Sequence, residues 1–112
     1  MSEEISYPYT SYGETVNVYP YRAKYYDNDN TAIELIVADG PDRGQRQATI
    51  SVNITPLPPD RIAVDTNNSP EAEKFLTENH LGKPVGMSLK SGFCSYPIYK
   101  LDLDKFPPYP EY

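Results

Sequence analysis

The most regular stretch of the chain lies between Ala32 and Ile54. Ile33, Leu35 and Val37 fall on one parity, with Glu34 on the other. After a loop over residues 39–44, Ala48, Ile50, Val52 and Ile54 alternate with Thr49, Ser51 and Asn53. A period of two places successive side chains on opposite faces of a strand. The pattern predicts an antiparallel hairpin with one buried and one wet face. Upstream, Val16 and Val18 open a further strand at Thr15 that continues through Ala23 and Tyr25. Pro20 has no N–H for a ladder, so this strand is expected at an edge or with a bulge there. Asp27-Asn28-Asp29-Asn30 reads as a turn, because Asn and Asp tolerate left-handed backbone.

Beyond the prolines at 56, 58 and 59 the spacing changes. Ile62–Val64 fits a short strand, and then Ala72, Phe75, Leu76 and Asn79 recur at helical intervals. Ser69 is the expected N-cap, Pro70 the first helical residue and Gly82 the C-terminal cap, giving about three turns. Val85–Leu89 and Tyr96–Leu103 are strand segments joined by a turn or bulge at Ser91-Gly92-Phe93-Cys94. The expected fold is α+β: one antiparallel sheet of four to five strands with a short helix packed on one face. Residues 1–14 are expected to be an extended Tyr/Pro-rich segment, 15–104 a single domain and 105–112 a mobile Pro/Tyr-rich tail.

Composition sharpens the functional reading. The 112 residues include 12 Pro, 11 Tyr, 3 Phe and no Trp, with a formal net charge of −6. The 10 basic residues look scattered singly, so direct nucleic-acid binding is not expected and a basic protein surface suits the charge better. A single cysteine and the absence of a basic, apolar leader fit a reducing compartment, so the expected location is cytoplasmic, with no membrane association. No metal or cofactor is expected. Asp27, Asp29 and Thr31 resemble the start of a calcium loop, but Ala32 and Ala38 stand where it needs Gly and Glu.

His80 and Cys94 are the residue types of a thiol nucleophile and its base, yet the local signatures of such enzymes are missing. No catalytic residue is therefore assigned. Asp65-Thr66-Asn67-Asn68 reads first as a capping turn and second as a polar recognition loop. Tyrosine supplies stiff contact area with a polar tip, which suits interfaces as well as half-wet cores. Tyr19, Tyr21, Tyr25, Tyr26, Tyr96 and Tyr99, lining one sheet face, together with Asp27 and Asp29, are the candidate partner contacts. An unprotected edge strand also leaves a homodimer open.

The run Ala48–Ile54, then Val64-Asp65-Thr66-Asn67-Asn68, the helix Glu71–Asn79 and Ser91–Tyr99 resemble a small bacterial family of unknown function. That family is carried on conjugative elements, plasmids and prophages. The resemblance spans residues 15–104 and implies a bacterial cytoplasmic setting on a mobile element, with no functional residues to carry over. By analogy with other small acidic proteins of such elements, the expectation is a non-enzymatic protein-binding module. Its sharpest form is a counter-defence, anti-CRISPR-like inhibitor of a basic host nuclease. The alternative is an accessory or assembly factor in conjugation or phage replication.

Overall fold

In the computed structural model, which describes residues 5–109, the alternating segment does form a hairpin. Strand β3 (Thr31–Val37) pairs antiparallel with β4 (Arg46–Thr49), placing Leu35 opposite Ala48 and Glu34 opposite Thr49. The return strand does not continue to Ile54, however. Ile50 is a corner. Its N–H donates to the Ile33 carbonyl at 3.1 Å, and its own carbonyl accepts from the Asp65 N–H at 2.8 Å. The next two residues, β5 (Ser51–Val52), pair with β6 (Arg61–Val64) in a different sheet.

The expected single sheet is therefore two. Strands β1 (Tyr7–Ser11), β2 (Glu14–Lys24), β3 and β4 form the first, in that order. The second runs β5, β6, β8 (Cys94–Leu101), β7 (Gly82–Ser91). Both sheets are antiparallel, and one short helix completes the α+β chain. Two sheets arise because each has an apolar face that needs a lid, and each serves as the other's. Val18, Ile33 and Leu35 from the first sheet meet Ile62, Val64, Tyr99 and Leu101 from the second in one core, with Ile50 at the join. β3 is buried on both faces: Ala32 and Ile36 are sequestered as well as Ile33 and Leu35. The wet face expected for this strand is covered because Tyr19 stands opposite Ile36 and Tyr21 opposite Glu34 there, and Tyr109 packs edge-on against Tyr21.

Both ends of the described chain are drawn in. β1 pairs with β2 through a two-residue turn whose Tyr12 and Gly13 both have positive φ, 51° and 81°, the backbone of a type I′ hairpin. It delivers Tyr9 to the core, edge-on to Phe75. Phe106, assigned to the tail by sequence, is 1% exposed. Arg22 holds that end: its N–H donates to the Pro107 carbonyl, its carbonyl accepts from Tyr109 N–H, and its Nε donates to the Phe106 carbonyl. This pairing also explains Pro20. In a strand, residues two apart point their N–H to the same side, so Pro20 faces the side that β1 has stopped covering. The missing donor costs no ladder bond, as an edge position requires.

The helix α1 (Ala72–Glu78) has seven residues, about two turns rather than three. It touches both β1 and β7, and so closes the gap between edge strands of the two sheets. Ser69 does not cap it. That side chain is buried and its hydroxyl bonds to Tyr9, so no side chain caps the helix start. Nor is Gly82 the C-terminal cap. His80 takes the left-handed position at φ 56°, with its N–H on Thr77 and the Leu81 N–H on Leu76, the pattern of a Schellman motif. Gly82 instead opens β7, where a Cβ would sit 3.1 Å from the Lys100 carbonyl oxygen.

Asn30 ties the β2–β3 turn to the loop after β5. Its Nδ2 donates to Asn53 Oδ1 and to the Thr55 carbonyl, while its Oδ1 accepts from Leu57 N–H. Asn28 also donates to Asn53, and the Thr31 hydroxyl to the Pro59 carbonyl. Asn30 is 6% exposed, and its loss removes the partner of the Leu57 N–H and of the Thr55 carbonyl, while Asn53 Oδ1 keeps its bond from Asn28. Asn30→Ala is expected to cost about 3 kcal/mol. Asn30→Asp is expected to destabilise as well, because a carboxylate cannot donate to the Thr55 carbonyl; urea unfolding of the two variants measures both effects.

Candidate partner-binding surface

The six candidate tyrosines do not share a face. Tyr19 and Tyr21 are neighbours on the outer face of the first sheet, ring centroids 5.9 Å apart. Tyr21 is buried there and Tyr19 half-buried. Tyr25 is half-buried, its hydroxyl bonded to the Ser51 side chain and carbonyl across the junction between the sheets. Tyr96 and Tyr99 belong to β8 in the second sheet, three residues apart and hence on opposite faces. Both are buried, Tyr99 in the central core. Of the six, only Tyr26 stands free, at 105% relative exposure. It heads the β2–β3 turn beside exposed Asp27 and Asp29, the latter at φ 58°. The set thus divides into structural tyrosines and one exposed group of Tyr26, Asp27 and Asp29.

Burial acts on the structural tyrosines. Loss of solvation, followed by the nearby Glu73 carboxylate, pushes the Tyr99 hydroxyl up to about 12. Tyr9 and Tyr25 are raised mainly by burial, and Tyr96 first by its hydrogen bond with Cys94.

Two other exposed aromatic side chains sit at hairpin ends. Tyr12 occupies the β1–β2 turn. Phe93 is wholly exposed in the β7–β8 turn, where positive φ at Gly92 alone matches a type II′ connection. Met87 lies on β7 beyond Gly86, in the irregularity between Pro84 and Ser88. β6 pairs β8 only over Ile98–Lys100, so the β7–β8 arm projects past it, and Val85 and Leu89 stay half-exposed. The arm from Gly82 to Leu101 carries Lys83, Lys90 and Lys100 and no Asp or Glu.

Nucleophile and base are kept apart. His80 lies at one end of the β7–β8 ladder, next to Leu81 and Gly82, whose partner is Leu101. Cys94 begins β8 at the other end, seven residues from Leu101, or roughly 23 Å of strand. Asp65 is buried and its carboxylate accepts from both the backbone and side-chain nitrogens of Asn68, three residues on, in a turn leading toward the helix. Among the described residues no group of three His, Cys, Asp or Glu is placed to hold a metal ion, and no helix is long and apolar enough to cross a membrane. A groove of about 580 Å³ lies between the helix end and the β7–β8 ladder, lined by Thr77, His80, Lys83, Lys100 and Asp102. The basic residues stand singly along the sequence, but the register sets Arg61 opposite Lys100 and Lys100 opposite Lys83.

These features define a two-sheet α+β domain with exposed turn residues. A family profile described as a domain of unknown function (DUF4313) matches residues 21–111, and the chain belongs to that family. No curated protein and no solved structure matches it.

The raised tyrosines make stability fall at alkaline pH. A neutral phenol favoured by the fold stabilises fully below its unfolded value near 10, and that contribution is lost as pH climbs toward 12. The melting temperature is expected to drop across that interval, and Tyr99→Phe should make the drop shallower. An unchanged slope in Tyr99→Phe would show that Tyr99 does not carry it.

Proposed function

We propose that this chain is a non-enzymatic protein-binding module of a bacterial mobile genetic element, and that it inhibits a basic host nuclease in an anti-CRISPR-like manner. The observation that carries the reading is the exposed turn in which Tyr26 stands beside two exposed carboxylates, Asp27 and Asp29. An aromatic ring supplies desolvated contact area, and flanking carboxylates select a cationic surface around it. The turn is anchored by the Asn28–Asn30–Asn53 network, so little ordering entropy is lost when a partner docks. The chain's net charge of −6 acts in the same direction by steering encounter with a basic partner.

An accessory or assembly role in conjugation or phage replication draws on a different surface. The β7–β8 arm exposes Met87 and Phe93 and has no carboxylate, which suits a partner that buries apolar area.

The two roles separate in one capture experiment on cells that carry both the parent element and a CRISPR system. For inhibition, the immobilised chain should retain a host nuclease that elutes as salt rises from about 0.1 to 1 M, where screening shortens from roughly 10 to 3 Å. The purified nuclease should lose DNA cleavage as the chain is added. Combined Tyr26→Ala, Asp27→Asn and Asp29→Asn should weaken inhibition at least tenfold. Retention of element-encoded proteins through Phe93 and Met87, with no nuclease bound even at low salt, would replace inhibition by assembly.

A further inference from the structure

Three cations lie side by side across the second sheet. In antiparallel ladders, residues in register share a face, with neighbouring strands about 4.8 Å apart. Arg61 on β6, Lys100 on β8 and Lys83 on β7 therefore form one row about 10 Å long between its outer backbones. Like charges set directly opposite one another repel, and in a chain of net charge −6 such a row is not a by-product of overall basicity. None of the three has a carboxylate within ion-pair distance among the described residues. Asp102, on the rim of the adjoining groove, is engaged by Lys105 at 3.7 Å, and Lys105 also donates to the His80 carbonyl.

Arg61 adds an independent observation. Its Nε is buried and has no hydrogen-bond acceptor, the one side-chain polar atom in that condition among the described residues. An N–H of a charged group shut away from water is costly to leave unpaired. A ligand oxygen reached by a small rotation of the guanidinium would complete it. The groove beside Lys83 and Lys100, at about 580 Å³, has the capacity of a small-molecule site.

We infer that the Arg61–Lys100–Lys83 row binds a compact oligophosphate anion, with the rest of the ligand lying in the groove toward His80 and Thr77. A single carboxylate would neutralise one of the three cations. A linear di- or triphosphate carries several charges within the span of the row and offers acceptors to lysine ammonium and guanidinium alike. This site lies on the second sheet and is independent of the proposed contact at the β2–β3 turn.

The test is a titration of the whole chain with sodium tripolyphosphate and, separately, with ATP, followed by amide NMR in phosphate-free buffer at fixed ionic strength. Saturable shifts centred on Arg61, Lys83, Lys100 and their strand neighbours are expected. Equal affinities would assign binding to the phosphate chain alone, and tighter ATP would place the nucleoside in the groove; either result supports the site. The Lys83→Gln, Lys100→Gln double variant should lose at least tenfold in affinity. With no ligand present it should melt no lower than the parent, since it relieves repulsion. Lys100→Arg should retain binding if the double variant fails to fold. A Lys24→Gln, Lys90→Gln pair of equal charge change should bind as the parent does. Shifts that do not saturate, equal losses in the two double variants, or tighter binding of an acidic peptide or DNA duplex than of tripolyphosphate would each overturn the inference.

Discussion

The architecture depends on the backbone of a single residue, Ile50. A β-strand that leaves one sheet for another must still satisfy its backbone groups, because both sides of the junction are sealed from water. Ile50 does so by dividing them: its N–H belongs to the first sheet and its carbonyl to the second. Its side chain, fully buried, fills the space where the two apolar faces converge. Ser51 reinforces the join, since its hydroxyl accepts from Ile33 N–H and also meets the Tyr25 hydroxyl. Everything after residue 50 is positioned by this turn of the chain. The second sheet receives its first strand from it, and Asp65 is bonded to it before the Asp65–Asn68 turn leads toward α1.

The same constraint explains what the amino-acid pattern disclosed and what it concealed. Alternation at Ile33–Val37 and Ala48–Val52 marks strands and the β3–β4 hairpin, because period-two burial is a local signal, whereas the pattern runs on to Ile54 and the strand ends at Val52. Sheet membership is not local. Ala48 and Val52 have the same parity on either side of Ile50, so no change of spacing announces the corner. The turn residues carry more information than the composition around them. Tyr12-Gly13 supplies the positive φ of a type I′ connection, yet the surrounding Tyr/Pro composition pointed to an extended segment. The helix was placed correctly, but its caps were not. Ser69 satisfied the rule for an N-cap and was taken by Tyr9; His80 occupies a left-handed position for which Gly82 was the obvious residue.

Tyrosine use shows the same division. A composition of 11 Tyr and no Trp signals either interface or half-wet core, and the fold uses the residue for both. Tyr9 and Tyr99 place their rings in the core while their hydroxyls reach Ser69 and Glu73, and half-buried Tyr25 reaches Ser51. Thin layers make this economical: a ring long enough to cross the core brings its polar tip to a partner near the edge. Tyr26 has no such partner and lies beyond the end of β2, where neither sheet has a face to offer it.

Charge is where three-dimensional order departs furthest from linear order. Arg61, Lys83 and Lys100 are separated by 17 to 22 positions, and nothing in their immediate neighbours marks them as a group. Antiparallel pairing of β6, β8 and β7 brings them into one row, while Asp27 and Asp29, Glu73 and Glu78, and Asp39 and Asp42 gather in the β2–β3 turn, the helix and the β3–β4 loop. A chain that is acidic as a whole thus presents a cationic strip on one sheet and an acidic aromatic turn at the end of the other. Net charge predicts neither surface. It reports a sum, whereas recognition depends on which charges the register makes neighbours and which of those are left without a partner.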